Sequence, residues 1–266
     1  MELVDNAIVR TAIAAFAAAP SQQAYLEVLR CCFQGDLLFD ITPSDVPAPG
    51  DENTVTWEKG MRIGIVETTA SDGERALLAF TRQDEVWPMH PVDRDAVRTL
   101  GQQAAATLEF AVEQGYGWLL LDPLGPSISL KVDDIRIALH ADRNDAVKRA
   151  LTPIADGDVR PAVIDALVQG GNLFYSVNKA SVVNAPNVQI RTTTQPDGST
   201  SLLAYTSPLE IHAKDLSDAV MTATVAEVVE KALSGSYVGL VINPSGPWVG
   251  LGRDELLEVQ KRLLAS

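Results

Sequence analysis

The chain has 266 residues, 46% hydrophobic and 21% charged, with a formal net charge of −14. This balance is typical of a folded globular protein and excludes a chain that is disordered throughout. Nucleic acids and anionic membranes bind basic surfaces, so the acidic composition argues against both as partners.

The alanine-rich segment over residues 8–20 predicts an amphipathic helix and not a targeting signal. Glu2 and Asp5 stand where a secretory signal carries basic residues, and Arg10 interrupts the apolar run. No apolar segment reaches the roughly 20 residues that a bilayer span needs. We therefore expect a cytoplasmic protein.

Two adjacent cysteines, Cys31 and Cys32, lie near the C-terminal end of a second predicted helix over residues 21–34. A bridge between neighbouring cysteines closes almost no loop and contributes little stability. We expect two small buried side chains in a reducing compartment, with a redox switch as the alternative.

Three sequence blocks occur twice in the same order, which indicates an internal duplication. GDLLFDI is repeated as GNLFYSV, DGERALLAFTRQDEV as DGSTSLLAYTSPLEI, and WLLLDPLGPSISL as GLVINPSGPWVGL. We place the two repeats at residues 1–138 and 139–266. The segment 131–145 is predicted to be a helical linker between them.

Both repeats have the same predicted elements. Each begins with helices, over 3–18 and 21–34 in the first repeat and over 142–154 and 159–169 in the second. A short strand follows, then a hairpin at an Asp-Gly turn, where glycine accepts the positive φ that such turns need. A helix over 94–115 or 217–235 precedes two final strands. Between its first strand and its hairpin, the first repeat carries a polar insertion that ends near Trp57.

This order predicts antiparallel pairings and an α+β fold of two similar tandem domains. Each domain is expected to hold a mostly antiparallel sheet packed by helices, with a pseudo-twofold axis relating the two domains. The quoted blocks resemble the SseB (enhanced serine sensitivity) family in its tandem bacterial form. The resemblance implies a cytosolic α+β protein without known catalytic residues, and its name implies a link to serine tolerance.

The turn LDPLGPSIS carries a serine, Ser127, that is a poor candidate for a nucleophile. It lacks the G-x-S-x-G pattern, and the matching turn of the second repeat has Trp248 after its proline. Asp122 and Asn243, which open the two turns, are expected to be turn-forming residues. The spacing of acidic residues and histidines matches no metal site, and no phosphate-binding glycine motif occurs, so no cofactor is expected.

Four residues remain as candidates for a binding site. Trp87 and Trp248 lie in predicted loops, where tryptophan is typical of protein interfaces. Glu85 and Glu210 occupy matching positions at the predicted ends of strands, where surface carboxylates are common.

We therefore predict a non-enzymatic cytosolic binding or adaptor protein, whose partner is another protein or a peptide. A homodimer is also compatible with the sequence. Two alternatives are an enzyme with its site at the seam between the domains and a secretion-type chaperone that holds a client segment along a sheet edge. No catalytic residue is assigned.

Overall fold

The structure is a computed structural model that describes residues 4–45, 62–152, 157–179 and 189–265. The chain divides into two compact units, residues 1–140 and 141–266. Most of the predicted insertion, with Trp57, lies outside the described residues.

The first unit begins with a pair of capped helices. The side chain of Asn6 accepts a hydrogen bond from the Val9 amide, and Ser21 accepts one from the Ala24 amide, so each helix begins at a side-chain cap. The helices of this unit are α1 (Ala7–Ala18), α2 (Gln22–Cys31), α3 (Gln83–Val86), α4 (Ala104–Glu113) and α5 (Val132–His140). The helix α5 lies in the segment predicted as a helical linker.

The six strands among the described residues of the first unit form two sheets. The strands are β1 (Asp36–Asp40), β2 (Glu67–Thr69), β3 (Arg75–Ala79), β4 (Thr99–Gln103), β5 (Trp118–Leu121) and β6 (Ile128–Lys131). Strands β1 and β4 pair antiparallel, and the other four follow the order β2-β3-β5-β6. The predicted hairpins β2–β3 and β5–β6 are confirmed.

The second unit repeats this order of elements. Its helices are α6 (Asp145–Ala150), α7 (Arg160–Val168), α8 (Pro208–Lys214), α9 (Val225–Ser234) and α10 (Arg253–Leu263). Its strands are β7 (Asn172–Val177), β8 (Thr192–Thr194), β9 (Thr200–Ala204), β10 (Ala219–Thr224), β11 (Gly239–Ile242) and β12 (Val249–Gly252). Strand β7 pairs with β10, and the larger sheet has the order β12-β11-β9-β8.

One detail of the predicted topology is wrong. The segments 94–115 and 217–235 do not form one helix each, because each contains a strand, β4 or β10, that runs directly into the helix. The described pairings are mostly antiparallel, as predicted, but β3 pairs parallel with β5 and β9 with β11. The helix between the paired strands acts as the crossover that a parallel pair requires. The α+β class and the repeated domains are confirmed.

The two Pro-Gly-Pro-type turns are held by matching side chains at left-handed positions. Asp122 has φ of 49° and Asn243 has φ of 52°, and both residues are buried. The amide and hydroxyl of Thr81 donate to the Asp122 carboxylate at 2.9 and 2.8 Å. In the second unit, the Thr206 amide donates to Asn243 Oδ1 at 2.9 Å, and Asn243 Nδ2 donates to the Thr206 hydroxyl at 2.8 Å. The prediction that Asp122 and Asn243 form the turns is confirmed.

The cysteines and one tyrosine belong to the buried interior. Cys31 and Cys32 are buried free thiols, which agrees with the sequence prediction, and burial raises the pKa of Cys32. Tyr175 is also buried, and its hydroxyl has no hydrogen-bond partner among the described residues. Its counterpart in strand β1 is Phe39, which packs at 5.6 Å between ring centroids on Phe110.

Candidate ligand-binding cavity

A cavity of about 250 Å³ opens in the second unit, beside the ends of strands β7 to β9. Its rim is formed by exposed residues from the start of β8 and the end of α8. Its floor is buried and comes from β7, β9, α8 and the residue before β10. The lining residues are Ser176, Arg191, Thr192, Leu203, Tyr205, Ile211, Lys214, Asp215 and Asp218. We refer to this feature as the charged cavity.

An ion pair fixes one wall of the charged cavity. Arg191 donates from Nε and Nη2 to the two carboxylate oxygens of Asp218, at 2.9 and 2.6 Å. The hydroxyl of Ser176 donates to the same carboxylate. The hydrogen bonds from Arg191 hold the pKa of Asp218 below its usual range, with burial opposing and Ser176 assisting. Asp218 is therefore ionised at neutral pH, and its position is fixed by both partners.

Tyr205 is a largely buried residue of the lining whose hydroxyl is not itself fully buried. It is 2% exposed, and no hydrogen bond joins its hydroxyl to any other described residue. Burial is the main cause that raises its pKa to about 12, and the nearby Asp218 adds to the effect. The phenol is thus a neutral hydroxyl that can donate to a molecule in the cavity.

Backbone pairing identifies the positions of the first unit that correspond to this wall. The amide of Arg191 donates to the Ser176 carbonyl, just as the amide of Val66 donates to the Asp40 carbonyl. In the strand pairs, Ser176 lies opposite Val220 and Asp40 lies opposite Thr99. Asp218 lies two residues before Val220, and Val97 lies two residues before Thr99. Val97 is therefore the counterpart of Asp218.

A third correspondence comes from the bridge that joins the two sheets within each unit. Phe80 pairs with Leu38 in the first unit, and Tyr205 pairs with Phe174 in the second. In the first unit these positions form an apolar cluster, in which Val66 and Val97 pack against a buried group that includes Phe80. We call this cluster the apolar corner. The second unit keeps an equivalent buried cluster that includes Tyr205. The duplicated backbone therefore differs mainly beside this cluster, where Arg191 and Asp218 replace Val66 and Val97.

The two predicted tryptophans occupy different environments. Trp87 begins a 3₁₀ turn after α3 and is half-buried, with the Arg94 guanidinium 5.8 Å from its ring centroid. Trp248 is 61% exposed on the turn between β11 and β12. Neither belongs to the lining of the charged cavity. Their role in binding remains a prediction.

The two predicted glutamates do not lie at the ends of strands as expected. Each lies in the short helix that follows its strand. Glu85 lies in α3 and pairs with Arg82 at 2.8 Å, with 16% of its side chain exposed. Glu210 lies in α8, is 1% exposed and accepts a hydrogen bond from Lys148 Nζ at 2.9 Å. Glu210 immediately precedes Ile211, which lines the charged cavity. The two matching glutamates therefore form a partly exposed ion pair in the first unit and a buried ion pair in the second.

Sequence reasoning did not identify the residues of the charged cavity. The available signal was the difference between LLAFT and LLAYT, which places Tyr205 where the first repeat has Phe80. Arg191 has the same spacing from Val66 as Tyr205 has from Phe80 and could have been aligned, whereas Asp218 could not, because the spacing between the repeats changes before Val97. Strand register supplies that alignment.

The described residues also bear on metal binding, on membrane insertion and on the serine of the first turn. In the part of the chain that the structure describes, no group of three or more His, Cys, Asp or Glu side chains is placed to hold a metal ion. Across the described ranges, no helix combines the length and apolar character needed to cross a bilayer. Ser127 is exposed on the first-unit turn.

Comparison with known proteins identifies the family. The family model described as SseB protein N-terminal domain matches the chain twice, over residues 9–136 and 147–256. The search of curated proteins and that of solved structures each found no match. The two matches together cover most of the sequence and fall one in each compact unit. The chain therefore belongs to the SseB family, in a form with two tandem copies of its N-terminal domain.

Proposed function

We propose that the protein is a non-enzymatic binding protein and that the charged cavity is its recognition site. The observation that carries this proposal is the replacement of Val66, Phe80 and Val97 of the apolar corner by Arg191, Tyr205 and Asp218. Burying polar groups costs free energy that an apolar contact does not. The first unit folds with apolar residues at these three positions, and its buried polar group there is Asp40, at the Ser176 position, which pairs with His90 at 2.6 Å. Arg191, Tyr205 and Asp218 are therefore not required by the fold, which supports a role in binding.

The chemistry of the lining supports binding more than catalysis. Asp218 is committed to Arg191 and Ser176 and has a lowered pKa, whereas a general base would need a pKa closer to neutrality. Ser176 donates its proton to that carboxylate, and the lining contains no histidine that could activate it. These groups are suited to holding a ligand in one orientation.

A fragment screen tests this proposal with a variant that copies the apolar corner. The variant carries Arg191→Val, Tyr205→Phe and Asp218→Val, which are the residues of the first unit. We expect ligand-observed NMR to detect small polar fragments that bind wild type, compete for one site and are recovered chemically unchanged. The same fragments should not bind the variant. Equal binding to both proteins, or conversion of a bound fragment, would contradict the proposal.

The partner role predicted from sequence has separate support from Trp248. A large aromatic side chain that is 61% exposed on a turn is a common anchor in protein interfaces. Leu124, on the equivalent turn of the first unit, is 59% exposed and provides a matched control. A photo-crosslinking residue placed at position 248 should capture a partner that the same residue at 124 does not. Capture of a second copy of the chain would identify a homodimer, and equal capture at both positions would count against a specific interface.

The proposal includes a cytoplasmic location, since two buried thiols that form no disulfide are compatible with a reducing compartment. The enzyme with a site between the domains and the client-holding chaperone remain predictions from the sequence. Recovery of unchanged fragments argues against the first of these alternatives. A crosslinked partner that is fully folded argues against the second.

A further inference from the structure

We propose that the open edge of strand β10 is a dimer interface, at which β10 of one chain pairs antiparallel with β10 of a second copy. This interface goes beyond the proposed function and does not require the charged cavity to bind a ligand. Three features of β10 support it: its outward-facing backbone groups, its uncharged side chains and its contrast with the other strand edges.

The backbone of β10 has hydrogen-bonding groups that face outward. Among the described strands, β10 is paired with β7 alone. Phe174 of β7 exchanges both of its backbone hydrogen bonds with Tyr205, so its peptide groups face away from β10. Because the bonding direction alternates along an antiparallel pair, the register leaves the N–H and C=O groups of Val220 and Thr222 directed away from β7. These four groups have no hydrogen-bond partner among the described residues.

The side chains of β10 favour pairing with another strand. Its sequence, AVMTAT, contains no charged residue, proline or glycine. Val220 and Met221 are half-buried, and Thr222 is exposed. Valine and threonine are β-branched residues that pack well in a pleated sheet. A long uncharged edge is a template for a further strand, and proteins usually obstruct such an edge when it has no partner.

Other edge strands of the described sheets are obstructed. Strands β2 and β8 are only three residues long. On β12, Arg160 Nε donates to the Gly250 carbonyl at 3.4 Å. On β6, the Lys131 amide donates to the Tyr25 hydroxyl at 2.9 Å. Short length and side-chain contacts of this kind limit pairing with a further strand. Within the described ranges, β10 has no such contact on the outward groups of Val220 and Thr222.

The matching edge of the first unit, β4, is interrupted. Strand register matches Thr222 to Gly101 and Ala219 to Arg98. A glycine weakens a strand, and Val4 lies against this one, since a Cβ at Gly101 would be 3.2 Å from Val4 Cγ2. A cationic side chain at a strand end discourages pairing. The second unit therefore presents an unobstructed version of an edge that the first unit interrupts.

A second copy of the chain fits this edge without mismatch. When Met221 is at the centre of the antiparallel pair, Val220 of one copy lies opposite Thr222 of the other, and these residues exchange backbone hydrogen bonds. Every one of the four outward-facing groups is then paired. The two Met221 side chains lie directly opposite each other. Asp218 of one copy lies opposite the uncharged Thr224 of the other, so no like charges face each other across the interface.

Neighbouring amides favour this register over a shift in either direction. An interface centred on Thr222 would use the Thr224 amide, which already donates to Glu227 Oε2 at 2.7 Å. An interface centred on Val220 would use the Asp218 amide, which donates to the backbone of its own chain. The opposite side of β10 is occupied by β7, so the association closes at two copies.

Analytical ultracentrifugation tests the interface. We expect wild type to dimerise and Thr222→Lys to raise the dimer dissociation constant at least about tenfold, because it places a charge in the strand pair. Thr222 is exposed, so the variant is expected to fold. Gln103→Lys, at an exposed residue of β4, makes the same charge change and should leave the constant unchanged. A wild type that is monomeric at every concentration, or equal constants for wild type and Thr222→Lys, would overturn the proposal.

Salt dependence distinguishes a second copy from a basic peptide at the same edge. Each chain has a net charge of −14, so two copies repel each other and added salt should strengthen the dimer. We expect the dissociation constant to fall as the salt concentration rises from about 50 to about 500 mM. A constant that rises with salt would overturn the pairing of two uncharged strands.

Disulfide crosslinking tests the register. In a non-hydrogen-bonded antiparallel pair, opposite α-carbons are about 4.5 Å apart, which is within disulfide range. Met221→Cys should therefore give a crosslinked dimer under mild oxidation, whereas Leu100→Cys, at the matching position of β4, should not. The native thiols of Cys31 and Cys32 are buried and should not contribute. Crosslinking of Leu100→Cys to the same extent, or of Thr222→Cys in place of Met221→Cys, would overturn the proposed pairing.

Discussion

The charged cavity and the apolar corner occupy the same place in two copies of one fold. The same backbone hydrogen bond joins β7 to Arg191 and β1 to Val66. Both units keep a buried apolar cluster at this place, and in the second unit that cluster forms the floor of a space of about 250 Å³. Backbone pairing therefore determines where these side chains lie, and their chemistry determines whether they close the space or open it.

This difference shows how a duplicated fold can separate stability from binding. Apolar contacts of Val66, Phe80 and Val97 contribute to the stability of the first unit, and the buried Asp40 beside them is satisfied by His90. The second unit gives up part of that contribution and must satisfy Arg191, Asp218 and Tyr205 in another way. The ion pair satisfies two of them, and the hydroxyl of Tyr205 has no partner among the described residues. Four predictions sharpen or break this comparison.

The largest effect is expected from removal of a glutamate that both units share. Glu210→Ala leaves Lys148 without its buried partner, so we expect the free energy of unfolding to fall by about 3 kcal/mol. Glu85→Ala, at the matching position, removes a half-exposed pair with Arg82 and should cost below about 1 kcal/mol. Chemical denaturation of both variants measures the two values. Equal losses would show that the two pairs do not differ as their burial indicates.

The carboxyl group of Asp122 should make the free energy of unfolding of the first unit depend on pH. Asn243, which holds the equivalent turn of the second unit, should cause no such dependence. Burial raises its pKa from the ordinary 3.8 to about 6, so the folded state binds a proton more tightly than the unfolded state. Its contribution to stability is present below pH 4 and is lost as the pH rises through about 6. The loss amounts to roughly 2 to 3 kcal/mol.

Asp122→Asn should remove this dependence, because Asn243 holds the equivalent turn with the same pattern of contacts. The difference in unfolding free energy between variant and wild type, measured from pH 4 to 8, isolates the contribution of Asp122. The variant should gain stability over wild type as the pH rises. Asn243→Asp is the converse control and should introduce the dependence into the second unit. Parallel curves for Asp122→Asn and wild type would contradict the account.

The ion pair of the cavity should show strong coupling. Asp218→Ala removes the carboxylate that Arg191 and Ser176 share and is expected to cost about 2 kcal/mol, a value limited by the partial exposure of Arg191. The double variant Arg191→Val/Asp218→Val copies the first unit and should recover most of that loss. A double-mutant cycle completed with the single variants Arg191→Val and Asp218→Val measures the coupling. If the losses of stability in the two single variants simply add in the double variant, this wall of the charged cavity does not adopt the apolar packing of the first unit.

The smallest effect is an increase in stability. Tyr175→Phe removes a buried hydroxyl that has no partner among the described residues and introduces the residue found at Phe39. We expect the free energy of unfolding to rise by about 1 kcal/mol. Phe39→Tyr is the matched control and should lower it. A loss of stability in Tyr175→Phe, measured by thermal or chemical denaturation, would indicate that the hydroxyl has an unrecognised role.

Local sequence signals predicted the parts of the fold that depend on local chemistry. Asp-Gly and Pro-Gly-Pro turns located the hairpins, and repeated blocks located the two copies. Strands β4 and β10 were missed because no glycine or proline separates either from its helix, and the apolar residues continue across the junction. The cavity was missed for a different reason. Arg191 and Asp218 lie 27 residues apart in the chain, and only the strand register brings them together.

Methyl NMR during titration with a polar fragment that binds wild type tests the central claim most directly, because the two units provide their own control. Leu203 and Ile211 line the charged cavity, whereas Leu78 and Val86 belong to the apolar corner. We predict that the methyl signals of Leu203 and Ile211 shift saturably with the fragment while those of Leu78 and Val86 stay in place. Equal shifts in both pairs, or shifts in Leu78 and Val86 alone, would contradict the claim that the second unit carries the binding site.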